Sequence, residues 1–281
     1  MTAPEKPVKL DKVGDWSELK LEILKKYAGA YTRILRGNKL HPIYIDGFAG
    51  AGQHVSRRTK ELIPGSPLNA LNIDPPFEEF YLIDLQQERV DNLQKLTAEK
   101  KNVHIYSGNS NALLVSEIFP RIRYQEYKRA LCVLDPYGLH LDWKVIKVAA
   151  ELSTIEIFLN FPLMDMNMNV LWWHPEATTQ ENITRMNNFW GDDSWRDAAY
   201  KKQETLFGPE DIKQPNEAIA SAFQERLKKV AGFKHVLEPA PMRNSTGAVV
   251  YYLFFAAQQP AAANIVNDIL NSYRKQGKLH G

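Results

Sequence analysis

The feature that most restricts this chain is a strand that breaks into glycines. An apolar run, Pro42-Ile43-Tyr44-Ile45, ends in an acid and opens into Asp46-Gly47-Phe48-Ala49-Gly50-Ala51-Gly52. A buried strand thus gives way to a turn with few Cβ atoms, the means by which a βα unit lets a ligand approach backbone. The spacing Gly47-x-x-Gly50-x-Gly52 is not the strict dinucleotide fingerprint, and the acid stands before the first glycine. A structural loop also uses such glycines, so the spacing downstream has to decide.

Three more strand-like runs end in polar residues of the same kind. Phe80-Tyr81-Leu82-Ile83 ends in Asp84 and Leu85, and an acid at that strand end can accept both hydroxyls of a ribose. Val103–Tyr106 leads to Ser107-Gly108-Asn109-Ser110, where Asn109 suits an adenine amino group or a plain N-cap. Arg129–Leu134 ends in Asp135-Pro136-Tyr137-Gly138, and a fifth run, Ile155–Leu159, ends in Asn160-Phe161-Pro162. Between these runs lie helical periodicities, and a turn at Asn244–Gly247 followed by the apolar strand Ala248–Ala257 implies a closing antiparallel hairpin. The expected fold class is α/β: a Rossmann-like, seven-stranded sheet of the class I methyltransferase type, with an N-terminal helix and an inserted helical lobe.

Asp46 with its glycines matches the Asp/Glu-x-x-x-Gly-x-Gly pattern of S-adenosylmethionine (SAM) sites. The expected cofactor contacts are therefore Asp46, Gly47, Phe48, Ala49, Gly50, Gly52, Asp84, Leu85, Asn109 and Ser110. Methyl transfer from a sulfonium is an in-line displacement, and positioning alone contributes roughly 7–11 kcal/mol. For an exocyclic amine, Asp135 and the Pro136 carbonyl are suited to accept its N–H groups while Tyr137 stacks on the ring. Those three are the expected catalytic residues, with Gly138, Asn160, Phe161, Arg57 and Arg58 as acceptor contacts.

The organisation along the chain divides into an arm and covering helix (1–40), a cofactor-binding core (41–162), an inserted lobe (163–215) and the remainder of the core (216–281). Residues 1–12 read as a loose arm. Apolar positions from Leu19 to Leu35 mark a helix with Asp15 available as N-cap; Ser66 and Pro67 mark another helix start; and His54–Lys60 is a polar, basic interruption, expected to be a loop at the ligand edge. Four of the six tryptophans, Trp172, Trp173, Trp190 and Trp195, fall in the lobe, where core packing is the commoner use and stacking on a base the rarer one.

The 281 residues, 44 % of them hydrophobic, are enough for one sizeable core. A single cysteine, Cys132, lies inside an apolar strand, which excludes an internal disulfide and a cysteine metal cluster, and His174 has no second ligand at metal spacing. No metal is expected. The longest apolar run is half of what a membrane helix needs, and Met1–Lys9 lacks a charged-then-apolar leader, so a cytoplasmic protein without a membrane partner is expected. A net charge of +2 neither requires nor excludes a nucleic-acid partner.

Several segments in order resemble the three-Cys-motif partner proteins (TcmP). These are Trp16-Ser17-x-x-Lys20, Ile45–Gly52, Gly65-Ser66-Pro67, Leu134–Gly138, Asn160-Phe161-Pro162, Phe189-Trp190-Gly191 to Trp195, and Tyr251–Ala256. The resemblance implies a methyltransferase-like fold and a cysteine-motif partner reminiscent of radical-SAM enzymes. Separately, the Asp-Pro-aromatic-Gly motif resembles that of tRNA guanine-N2 dimethyltransferases. It carries one proline where the DNA amino-methyltransferases have two, which favours an RNA amine. The expected function is a SAM-dependent N-methyltransferase acting on a nucleobase, RNA favoured. A catalytically inactive, partner-binding relative of that fold is the alternative, and a nicotinamide oxidoreductase is the third class.

Overall fold

Side-chain alternation along the apolar runs assigns each strand two faces, and both are covered in this protein. A computed structural model describes residues 10–205 and 208–279. In chain order the strands are β1 (Lys12–Val13), β2 (His41–Asp46), β3 (Gln53–Ser56), β4 (Leu62–Pro64), β5 (Glu79–Asp84), β6 (Val103–Ser107), β7 (Lys128–Leu134), β8 (Ile155–Phe161), β9 (Tyr200–Thr205), β10 (Gly208–Lys213), β11 (His235–Val236), β12 (Ala240–Arg243) and β13 (Val249–Ala257). Eight of them form one sheet in the order β11-β13-β8-β7-β2-β5-β6, with β12 also on β13. The strands β2, β5, β6, β7 and β8 are parallel and β13 is antiparallel to β8. The eighth strand arises because the outermost of the seven positions is divided between β11 and β12. Pro239 lies in the gap and has no N–H to give the ladder.

Chain order reverses between β2 and β7. Ligands of open α/β sheets bind in the crevice beyond the carboxyl ends of strands at such a switch point. Asp46 ends β2 and Asp135 directly follows β7, so the two acids flank that crevice.

On one face lie α1 (Asp15–Gly37), α2 (Ser66–Leu71) and α3 (Gln87–Leu96). On the other lie α4 (Ser110–Leu113), α5 (Trp143–Leu152), α6 (Leu163–Asn169), α7 (Gln180–Trp190), α8 (Trp195–Ala199) and α9 (Asn216–Arg226); α10 (Pro260–Lys275) returns to the first face. Ile23, Leu24, Tyr27, Ala28 and Tyr31 share one stripe of α1 and pack on Tyr44, Phe158 and Phe255. Tyr27 meets the rings of Phe158 and Phe255 at 5.5 and 5.1 Å. Burying a phenylalanine in this way contributes about 1.5–3 kcal/mol. Ile43 and Ile45, offset by one residue from Tyr44, face the opposite layer with Val145, Ile146, Phe189 and Phe223.

Several local expectations are corrected. The α1 N-cap is Gly14; Asp15 lies in the first turn, where its carboxylate favours the helix dipole and pairs with Arg58 at 3.5 Å. The α2 N-cap is Gly65, because the Ser66 hydroxyl is drawn to Asp46 instead. The interruption after the glycine turn is a β3–β4 hairpin rather than a loop, and β1 pairs parallel with β3. The arm is therefore ordered at Asp11 and Lys12, while residues 1–9 lie outside the described residues. The lobe is not wholly helical: β9 and β10 form a hairpin whose Lys, Glu and Gln residues carry no apolar alternation to reveal it. Of the four lobe tryptophans, Trp190 and Trp195 are core residues, whereas Trp172 is half-buried and Trp173 is exposed, so the core expectation holds for only two of them. Among the described residues no helix is long and apolar enough to cross a membrane.

Candidate cofactor and acceptor site

The glycine turn is held from below by Asp46, which is fully buried. Its carboxylate accepts hydrogen bonds from Phe48 N at 3.2 Å, Ser66 Oγ at 2.6 Å and Tyr44 Oη at 3.1 Å. Burial pushes its pKa up to about 6 against the pull of those donors. Asp46 thus fastens the turn to α2 from beneath the cleft. Gly50 has φ +63°, a region side chains avoid, and this aims its N–H at Asp84 Oδ2, 3.0 Å away.

Asp84 ends β5 beside the turn. Its other oxygen accepts Gln86 N at 2.9 Å, and Arg89 lies 3.8 Å from Oδ2. With Leu85, Asn109 and Ser110 it lines a cleft of about 390 Å³. Asn109 is an N-cap, accepting from Asn111 N and Ala112 N, and the Ser110 hydroxyl donates to Gly47 O. A second cleft of about 520 Å³ adjoins across Phe48 and Tyr137, which line both; its wall includes Ala49, Gly50, Asp135, Pro136, Gly138 and Asn160. A larger hollow, about 640 Å³ between α1 and the β12–β13 hairpin, contains none of the strand-end motifs. The two adjoining clefts follow the switch point and are the candidate site.

Asp135 is doubly engaged. Oδ1 accepts Asn160 Nδ2 at 2.6 Å, and Oδ2 accepts the ammonium of Lys20 from α1. Burial of Lys20 opposes its charge, but Asp135, with Tyr251 and Asp46, outweighs this and raises its pKa, so Lys20 stays protonated. The opposite oxygen of Asn160 is enclosed without a partner. The Tyr137 ring stands half exposed over the cleft, its hydroxyl bonded to Arg89 and Asp11; burial and Asp11 push its pKa up to about 12. Gly138 has φ +58°, and a Cβ there would stand 2.5 Å from Asp165 Oδ2. Asp165 closes this turn by accepting Leu139 N at 3.0 Å and pairing with Arg185 at 2.9 Å.

Not every expected contact reaches the clefts. Phe161 is fully buried, its ring among Phe189, Phe223 and Phe254, because alternation along β8 turns it into the core. Arg58 turns away to Asp15 and Glu18, whereas Arg57 lines the larger of the two clefts, donating to Lys12 O at 3.2 Å. Gly52 serves the hairpin, accepting Gly65 N.

Lys20, Arg89, Asp11, Asp165 and His54 are cleft-wall residues that the motifs did not single out as site residues. For Lys20 a signal existed: it stands three and four positions before Ile23 and Leu24, a lysine on the apolar stripe. His54 has its Nδ1 enclosed without a partner, and burial with nearby Lys20 lowers its pKa. Among the described residues no group of three His, Cys, Asp or Glu is placed to hold a metal ion.

This strand order, with its single reversed strand beside β8 and acids at the ends of β2, β5 and β7, is that of a Rossmann-like class I methyltransferase fold. No family model matches the chain, and no curated protein does. Among solved structures it is similar to protein LPL1258 of Legionella pneumophila, of family DUF519 (14 % identity, 90 % of this chain and 92 % of that one, TM-score 0.43). It is also similar to yhhF of Escherichia coli, named as a candidate methyltransferase (11 %, 91 % and 90 %, 0.37), and to another candidate methyltransferase from Thermobifida fusca (11 %, 87 % and 84 %, 0.42). Scores this low add no argument, so the fold rests on strand order and the TcmP resemblance on its motifs.

Proposed function

We infer that this protein is a cytoplasmic SAM-dependent methyltransferase that methylates an exocyclic amine of a nucleobase, in RNA rather than DNA. The observation that carries this reading is the pair of carboxylates, Asp84 and Asp135, in adjoining clefts that share Phe48 and Tyr137 as walls. The residues fit the cofactor: Asp84 ends a strand beside a glycine turn, and a Cβ at Gly50 would meet nothing within 4 Å, which leaves the backbone open to a ligand. When bound, SAM supplies an electrophilic methyl group.

Asp84 suits the ribose hydroxyls, and Phe48 with the Gly50 backbone the span between the clefts. Lys20 and Asn160 fix the Asp135 carboxylate, and each of its oxygens keeps a further lone-pair direction for an amine N–H. The Tyr137 ring offers a base a half-exposed face. Asp135 and the Pro136 carbonyl would hold the N–H groups of the amine with its lone pair toward the cofactor's methyl group. The Asp135 carboxylate would receive the proton the amine gives up on methylation and pass it to solvent. Incubating the protein with methyl-labelled SAM and either total cellular RNA or a protein extract tests the reading. Label in RNA, lost in Asp135→Ala, is expected; label in protein alone overturns the acceptor class.

A second reading, docking of a cysteine-motif partner, is favoured by Met164, Met168 and Trp173, which are large, apolar and more than half exposed, Met164 on the wall of the larger of the two clefts. Co-purification of that partner without SAM affinity selects it.

A further inference from the structure

Arg89 is a buried cation at the seam between the two clefts, and it is bonded to both. Its side chain is 10 % exposed. Nη1 donates to Tyr137 Oη at 2.7 Å, Nη2 reaches the two Asp11 oxygens at 3.3 and 3.1 Å, and Asp84 Oδ2 lies 3.8 Å from Nη1. The guanidinium also stands 5.1 Å from the Tyr137 ring centroid. Its partners come from three distant parts of the chain: the arm, the end of β5 and the Asp135–Gly138 turn.

Asp11 precedes β1, which is hydrogen-bonded to β3, so this end of the arm lines the larger of the two clefts and is held there through Asp11 by Arg89 and Tyr137. The fork geometry matters. A guanidinium serves several oxygens at fixed angles, and a lysine ammonium in its place does not.

We propose that Arg89 is a positioning residue that couples occupancy of the Asp84 subsite to the hold on Asp11 and to the setting of Tyr137. This rests on the reading of Asp84 as the ribose acid. The Asp84–Arg89 contact, at 3.8 Å, is the weakest of the set. Hydroxyls donating to Asp84 satisfy that carboxylate and leave the guanidinium wholly to Asp11 and Tyr137. The hold on Asp11 tightens, and the Tyr137 ring is fixed for the acceptor. The consequence is ordered binding, with the methyl donor before the acceptor. A ligand shifts such an equilibrium only through contacts that differ between the two states, and here that contact is Asp84 to Arg89.

Hydrogen exchange read by mass spectrometry on the full chain, with and without S-adenosylhomocysteine, tests the coupling. In the wild type the probe should slow exchange at residues 84–90 and 109–112, and also at residues 11–20, by about tenfold or more. In Arg89→Met the first two segments should still respond while the response at 11–20 is lost. Asp11→Asn, at a half-exposed position, should give the same uncoupling if Arg89→Met fails to fold. Protection at 84–90 and 109–112 without any change at 11–20 in the wild type overturns the proposal while the cofactor reading stands. An arm response that survives in both variants does the same. Absence of any response to the probe overturns both.

Discussion

Lys20 and Asp135 are 115 residues apart in sequence and directly bonded in the fold, the ammonium donating to Oδ2. This one ion pair joins α1 to the turn that carries the proposed acceptor chemistry. Removing one partner of a fully buried pair costs about 3–5 kcal/mol. Asp135 is about one-third exposed, which lowers the expectation for Lys20→Met to about 1–3 kcal/mol. Urea unfolding of Lys20→Met, Asp135→Asn and the double variant should show the double variant losing less than the sum of the singles.

Two carboxyls, buried Asp46 and half-buried Glu156, make stability depend on pH in an unusual direction. Burial raises Asp46 from its ordinary 3.8 to about 6, and raises Glu156, which accepts a hydrogen bond from Tyr27, from 4.5 to about 7. Each therefore binds a proton more readily in the folded state than in the unfolded one. Their contribution is favourable at low pH and is lost as pH rises, between about 4 and 6 for Asp46 and between about 4.5 and 7 for Glu156, by at most roughly 1.4 kcal/mol per pH unit each. Glu156→Gln should flatten the upper part of this slope in urea titrations from pH 4 to 8. A wild-type difference that rises with pH across that window contradicts it.

Gly138→Ala places a methyl group 2.5 Å from Asp165 and holds a non-glycine residue at φ +58°. A loss of about 1–3 kcal/mol is expected from the backbone term, together with displacement of the Asp165–Leu139 bond. Calorimetric melting measures the first, and a crystal structure of the variant shows the second.

Asp84→Ala removes the acid beside the glycine turn. Charge-assisted hydrogen bonds contribute about 1.5–3 kcal/mol, so S-adenosylhomocysteine should bind about ten- to one-hundred-fold more weakly. Asp135→Ala should leave that affinity within a few-fold and abolish methyl incorporation. Equal loss of both properties in both variants, with the fold retained, contradicts the division of roles.

The parts of this protein written in local sequence were legible. Asp84 and Asp135 each end an apolar run and line the clefts, and the reversed strand is announced by the turn at Asn244–Gly247; Asp46 ends such a run too but lies buried beneath the glycine turn, lining neither cleft. What escaped depends on partners far away in the chain. Arg89 looks like a solvated helix residue until Asp11 and Tyr137 converge on it. β1 is two residues long and exists only because β3 offers an edge. Ser66 stands where sequence places an N-cap, because nothing local reveals that Asp46 captures its hydroxyl. Phe161 shares a motif with Asn160, yet alternation along β8 sends the two side chains to opposite sides of the strand.

The central claim is that these clefts bind SAM. Calorimetric titration of the wild-type protein with SAM, S-adenosylhomocysteine and NAD, side by side, addresses it most directly. Micromolar binding of the first two and none of NAD is the predicted result. Binding of NAD alone, or of no nucleotide by a folded protein, contradicts the account.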